Sequence, residues 1–297
     1  VVVVVGVTCS PAVPSSTLPP AVVVATTCPT VVVLFSFLNG AYNYATEEKV
    51  GAPEYEFYKK PAKVDFQQDG PFGTWDLAQV QRGYQVYKEV CAACHSLKFV
   101  AFRDLAKIGY TEAEVKALAA EWQVPGIDPN TGEDILRPGL PTDNFPDVYP
   151  NDVAAAAANN NAIPPDLSLM AKARGDGTNY IHSLLAGYGP IPEELTAKYP
   201  DFETSTGLYF NEYFPNLNIA MAPPLTATDQ VTYTDGTPAT VPQMSQDVAA
   251  FLAWTAEPSL VERKQTGWPI LGFLLFATIL AYLSKQQIWA AVKPKKD

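Results

Sequence analysis

Residues 82–96 read RGYQVYKEVCAACHS, with Cys91 and Cys94 three positions apart and His95 directly after them. A cluster of this kind serves one of three chemistries: it ligates a metal, exchanges thiol and disulfide, or carries a covalent haem. Upstream, Asp76 is a candidate helix N-cap, with Gln79 three residues on as in a capping box. Val80, Tyr84, Tyr87 and Cys91 follow at spacings of 4, 3 and 4, which is one face of a helix. The spacing predicts a helix over 76–95 that brings the cysteines to its C-terminal end.

The rest of the chain decides among the three chemistries. Its 297 residues hold only two histidines, His95 and His182, and four cysteines: Cys9, Cys28, Cys91 and Cys94. A structural zinc site needs four such ligands around one tetrahedron, and the second half of a zinc module is missing. A thiol-exchange motif normally sits at a helix N-terminus, where the helix dipole lowers the thiol pKa; here the cysteines come at the other end. Covalent haem fits both the spacing and the adjacent histidine. Two thiols at i and i+3 reach the two vinyl groups along one porphyrin edge, and the next residue offers an imidazole to the iron.

The iron's second axial ligand is then sought among His182, Met170, Met221 and Met244. Met170 and Met244 fit flexible core filling, and His182 lies on an apolar helical stretch suited to a satisfied core histidine. Met221 lies in NIAMAPPL (218–225), an irregular loop braced by Pro223 and Pro224. A rigid loop can hold a weak thioether–iron bond, and His/Met ligation raises the reduction potential. Met221 is favoured on these grounds, with the other three still in contention.

Charge divides the chain. Residues 1–262 carry 14 Lys and Arg against 30 Asp and Glu, a net −16, whereas residues 263–297 carry six basic groups and one acid, a net +5. The acidic body argues against nucleic acid and suits a cationic partner or simple solubility. Residues 265–284, QTGWPILGFLLFATILAYLS, are 20 residues without a charge, about the length that spans a bilayer as a helix. Trp268 and Tyr282 stand near its ends, as interfacial aromatics do, and Lys285, Lys293, Lys295 and Lys296 after it place the tail inside. The acidic body then faces the periplasm or the intermembrane space.

Residues 1–46 contain no charged side chain and no basic n-region, and prolines at 11, 14, 19, 20 and 29 interrupt their apolar runs. They read as a segment of uncertain origin, poor both as a signal peptide and as a membrane helix; pairing of Cys9 with Cys28 is a minor alternative. Residues 47–75 read as extended, 111–122 and 245–258 as helices, and Val153–Ala158 as a short helix. Residues 125–165 and 187–243 read largely as loop, with short strands near 207–210 and 231–234. With 27 prolines, about twice the usual share, the chain is expected to be loop-rich.

Several blocks closely resemble the cytochrome c1 family, the haem subunit of quinol–cytochrome c reductase (the bc1 complex). They are RGYQVYKEVCAACHSLKFVAFRDL (82–105), LRPGLPTDNFPDVYPN (136–151), AANNNAIPPDLSLMAKAR (157–174), YIHSLLAGY (180–188), GLYFNEYFPNLNIAMAPPL (207–225) and DGTPATVPQMSQDVAAFLAWTAEP (235–258). The resemblance runs from about residue 62 to the C-terminus and is similar to alphaproteobacterial and mitochondrial members. It implies a mainly α, loop-rich class I c-type cytochrome domain with a single C-terminal transmembrane helix. It implies one covalent haem c on Cys91 and Cys94, with His95 as proximal and Met221 as distal iron ligand. Arg137 matches an arginine near a haem propionate; locally, a carboxylate buried beside an apolar ring needs such a cation. Asn160, Pro164 and Pro165 match a segment lining the haem pocket. Some bacterial members carry a disulfide before the methionine loop; this chain has no cysteine there, so another constraint must hold residues 190–216.

The expected organisation is residues 1–46 of uncertain origin, 47–262 as haem domain, and 263–297 as anchor and basic tail. The expected function is one-electron transfer from the Rieske iron–sulfur protein to a soluble cytochrome c. The chain would make or break no substrate bond itself. Cytochrome b and the membrane are the other implied partners, in a homodimer of heterotrimers, with the haem domain outside the bacterial inner membrane or the mitochondrial inner membrane. Competing readings are a tethered c-type subunit of a terminal oxidase, a haem sensor or peroxidase with an open iron site, and a non-redox assembly subunit.

Overall fold

A computed structural model describes residues 36–38, 40, 42 and 51–292. Expectations for Cys9, Cys28 and the lysines at 293, 295 and 296 fall outside these residues. The chain divides into two compact units, Val1–Ala52 and Pro53–Asp297. In the first, the described residues 36–38, 40 and 42 are helical. All that follows concerns the second.

That unit is mainly helical and loop-rich, as expected. In chain order it comprises α1 (Pro53–Phe57), α2 (Leu77–Glu89), 3-10 segments Cys91–Ala93 and Phe102–Ile108, α3 (Glu112–Ala120), and β1 (Gln123–Ile127) with β2 (Asp134–Pro138). There follow α4 (Asp152–Ala158), α5 (Met170–Ala173), α6 (Gly177–Ala186), α7 (Glu193–Lys198), β3 (Tyr209–Phe210), β4 (Asn218–Ile219), α8 (Val241–Ala256) and α9 (Leu260–Ala290).

The core forms where α2 and α6 pack on α8. Asp76 caps α2 by accepting from Gln79 N at 3.1 Å, and the helix buries Val80, Tyr84, Val86 and Tyr87. Opposite them, α8 buries Met244, Val248, Phe251, Leu252 and Trp254. Thr240 caps α8 through Gln243 N, and Pro242 fits its first turn, where no N–H is needed. Each large apolar side chain fully buried here contributes about 1.5–3 kcal/mol. Behind α2, Phe102 and Phe145 pack with ring centroids 4.4 Å apart, and Trp122 meets Phe145 edge-on at 5.1 Å.

Several expectations are corrected. The helix over 76–95 ends at Glu89, and the cysteines stand in a separate 3-10 turn. Tyr87 Oη donates to the His95 carbonyl at 3.0 Å and Leu167 N to the Ser96 carbonyl at 2.9 Å, so these acceptors are satisfied outside a helical ladder. Residues 125–138, read largely as loop, belong to an antiparallel hairpin over 123–138. Pro125 and Gly126 hide its alternation, while Gly132, at φ 73°, turns the chain. The stretch 47–75 contains α1. Residues 231–234 form no strand: Gln85 Nε2 of α2 takes the Thr232 carbonyl at 2.9 Å. The last domain helix starts at Val241, four residues before the expected Ser245.

The final helix, α9, is 31 residues long with mean hydropathy 1.7 over its most apolar window, none of it buried against the protein. At 1.5 Å per residue it reaches about 46 Å, enough to cross a bilayer. Its base is tied to the domain: Lys264 Nζ donates to the Gln68 and Gly70 carbonyls at 2.7 and 2.6 Å, and Trp268 stacks on Phe72 at 5.1 Å.

Candidate haem-binding site

The 3-10 turn closes with Cys94 N and His95 N both donating to the Cys91 carbonyl, at 3.1 and 2.9 Å. Cys91 is half-buried and packs against the core, Cys94 is exposed, and both are free thiols. Burial, then the neighbouring Cys94, pushes the Cys91 thiol up to about 12. It is therefore a protonated thiol at neutral pH, unlike the acidified cysteine of an exchange motif. Among the described residues, no three His, Cys, Asp or Glu side chains converge to hold a metal ion. Neither observation favours zinc or thiol exchange.

The imidazole of His95 is set by its partner. Its Nδ1 lies 2.8 Å from the Pro165 carbonyl oxygen, which can only accept, so Nδ1 carries a proton, and in the neutral ring Nε2 then keeps its lone pair. Burial lowers the His95 pKa, against the opposing pull of the Pro165 bond and of Asp166. A neutral ring donating through one nitrogen is the form in which histidine ligates iron through the other.

Around this bond two segments zip together. Leu167 N donates to the Ser96 carbonyl at 2.9 Å. Asp166 accepts from Ser96 Oγ at 3.0 Å, Lys98 N at 2.8 Å and Ser168 N at 3.0 Å. Ser168 Oγ accepts from Phe99 N at 3.2 Å. Asp166 and Ser168 fasten the segment after His95, and sequence reasoning passed them over. Their signal was the Asp-x-Ser pattern after Pro165, an Asx turn in which the carboxylate takes its own chain's amide two residues on.

The other candidate iron ligands separate by their surroundings. Met244 is fully buried in the core. His182 Nδ1 lies 2.9 Å from Ser245 Oγ, and burial lowers its pKa. Met170 opens α5 and packs on the core, as Met221 also does. Met221 alone of the four lies on irregular chain, with its carbonyl accepting from Tyr188 Oη at 3.0 Å. Downstream, Gln230 braces the loop: its Nε2 donates to the Pro224 carbonyl at 2.8 Å and its Oε1 accepts from Thr226 N at 3.0 Å.

Arg137, on β2, lies across Gly126, where an added Cβ would come within 3.0 Å of its Nε. Its Nη1 and Nη2 fork onto Asp143 at 2.7 and 2.9 Å, and Nη1 also reaches the Pro138 carbonyl at 3.2 Å. Nε–H and one terminal N–H are left over, chemically suited to a further anion. Asn160, at φ 51°, is exposed beside the turn at Gly207, and Pro164 and Pro165 lead into the zipped segment.

The donor set therefore fits a c-type haem: two free thiols in one turn, an imidazole held through Nδ1, and a methionine on a braced loop.

Comparison with known proteins points to one family. The family described as "Cytochrome C1 family" matches residues 66–292. The chain is 47% identical over 240 residues to cytochrome c1 of Rhodospirillum rubrum, covering 78% of this chain and 88% of that one. It is 44% identical over 252 residues to the mitochondrial cytochrome c1 heme protein of Saccharomyces cerevisiae, covering 85% and 76%. To an Arabidopsis thaliana mitochondrial counterpart it is 40% identical over 263 residues, covering 89% and 80%.

Proposed function

This chain belongs to the cytochrome c1 family, and on that footing we propose that it relays single electrons from the Rieske iron–sulfur protein to a soluble cytochrome c. Membership implies a haem-bearing electron-transfer subunit of a bc1 complex at a membrane. The finer assignments are ours. Cys91 and Cys94 hold one haem c through thioethers, and His95 and Met221 ligate its iron. Arg137 offers its spare N–H groups to a propionate, and Asn160, Pro164 and Pro165 line the pocket. Residues 47–262 form the haem domain, outside the membrane, and 263–297 anchor it. Cytochrome b is the membrane neighbour, within a homodimer of heterotrimers.

The observation that carries this reading is the His95 Nδ1–Pro165 bond at 2.8 Å beside two unpaired thiols. Bound haem supplies a one-electron ferrous/ferric couple. The chain's residues orient the imidazole, hold the methionine loop, and pack Cys91 and Met221 against the buried apolar core. A well-held His/Met site favours the reduced state. The acidic body steers a cationic carrier, with on-rates that fall as salt rises.

Purification from detergent-solubilised membranes tests the reading. Haem that resists acid–acetone extraction, a co-purifying b-type cytochrome and quinol–cytochrome c reductase turnover are expected. Extractable haem, or co-purification with a copper–haem oxidase instead, overturns it.

A further inference from the structure

We infer that Tyr188 is a positioning residue for Met221, and that the tether it forms does the work of a covalent cross-link that this segment lacks. The inference rests on Met221 as the iron's thioether ligand.

The chain before Met221 is long and has little regular structure. Between α7 and Met221, only the two-residue pair β3–β4 is regular, and no cysteine is present to staple it. Lys59 N donates to the Glu212 carbonyl at 2.8 Å, and Phe57 and Tyr58 pack on Phe210 and Leu217; the hold nearest Met221 passes through the end of α6. Asn211, fully buried, donates from Nδ2 to the Leu184 carbonyl at 2.8 Å and accepts from Tyr213 N at 3.0 Å. Its backbone N donates to the Leu217 carbonyl at 2.9 Å and its carbonyl accepts from Phe214 N at 3.1 Å. Asn211 also bridges Tyr188 in antiparallel fashion. Gly187 allows this approach: a Cβ there would stand 2.3 Å from the Tyr213 ring and 2.7 Å from the Ser183 carbonyl.

From that junction Tyr188 reaches forward. Its hydroxyl donates to the Met221 carbonyl at 3.0 Å, so the main chain bearing the thioether is tied to α6, and α6 to the core through α8. A thioether–iron bond is weak, and it survives only if the loop does not drift from it. The phenol fixes the Met221 carbonyl, next to the Cα from which the side chain hangs.

The test uses the full-length, haem-loaded protein. Tyr188→Phe removes the hydroxyl and leaves the ring to fill its place. A lost hydrogen bond of about 1 kcal/mol predicts a roughly fivefold rise in the affinity of the ferric haem for imidazole, with weakening of the thioether–iron charge-transfer absorption. Covalent haem content should be unchanged. Ser183→Ala removes the bond from Ala62 N to Ser183 Oγ (2.9 Å) on the same helix without touching the loop. It should lower stability and leave imidazole affinity at the wild-type value. Wild-type imidazole affinity and absorption in Tyr188→Phe overturn the inference, as does an equal rise in Ser183→Ala. If the wild type lacks the charge-transfer absorption and Met221→Leu leaves imidazole affinity unchanged, the ligand assignment itself is wrong and the inference falls with it.

Discussion

Gly83 of α2 lies so close to Asp247 of α8 that a Cβ added to it would stand 2.0 Å from the Asp247 carbonyl oxygen and 2.7 Å from Phe251 Cβ. The helix that leads to the cysteines therefore meets the last domain helix backbone to backbone, with no side chain of Gly83 between them. Gly83→Ala should force the helices apart. Overpacking of this kind costs about 1–3 kcal/mol and sometimes more, so denaturant titration of the haem-loaded protein should show a loss near the top of that range. Unchanged stability would mean that the crossing is looser than described.

The same crossing carries a buried ion pair. Asp247, its side chain wholly buried, accepts from Arg82 Nε at 3.0 Å and Nη2 at 3.3 Å, and from Gln243 Nε2 at 2.9 Å. Arg82 also reaches Asp235 at 2.8 Å, but that carboxylate is 40% exposed. Removing one partner of a buried pair strands the other charge. Asp247→Ala should cost about 3–5 kcal/mol, and Asp235→Ala less than about 1 kcal/mol. Equal costs would show that burial does not govern the network.

Asp166→Ala should unfasten the segment after His95. Three donors lose a charged acceptor, and such bonds are worth about 1.5–3 kcal/mol each where they are dry; partial exposure brings the expected total to about 2–4 kcal/mol. Hydrogen exchange of the Lys98 and Ser168 amides should accelerate well before those of α8. Exchange confined to α8 would contradict the zipped arrangement.

Acid should weaken the β1–β2 hairpin. The forked bond from Arg137 holds the Asp143 carboxyl below the usual carboxylate range. An acid with a depressed folded pKa contributes stability that is complete above its unfolded value, about 3.9, and lost as pH falls through the folded one. Asp143→Asn keeps the shape and loses the charge. Its melting temperature should lie slightly below wild type at neutral pH and converge with it in strong acid. A gap that widens with acid would reverse the sign and refute the pairing.

Lys264→Ala should loosen the base of the anchor. Loss of the two carbonyl contacts leaves only the Phe72–Trp268 stack and local packing there. Amide exchange over residues 66–75 should rise while the haem spectrum stays constant. A changed spectrum would place the effect at the haem site instead.

Much of this was written locally. Asp76 and Gln79 announced the start of α2, the alternation of Val80, Tyr84 and Tyr87 its buried face, and 20 uncharged residues the anchor, because each depends on neighbours within a turn or two. The hairpin over 123–138 was hidden, because Pro125 and Gly126 break the pattern that betrays a strand and the pairing register is set by the turn. The strand expected at 231–234 failed because an α2 side chain, 147 residues away, claims the Thr232 carbonyl.

The motif at Cys91, Cys94 and His95 suggested covalent haem from one line of residues, since two thiols and an imidazole at those spacings suit one porphyrin edge. What holds that chemistry in place is not in the line. Pro165, which fixes the His95 tautomer, is 70 residues on; Tyr188 is 33 residues from the carbonyl it tethers. A carbonyl or a phenol carries no mark of its partner, because hydrogen bonds between distant segments are made by where the packed helices place them. Composition and spacing therefore pointed to the group that we propose this chain carries, and only the packing of α2, α6 and α8 decided which residues would keep it oriented.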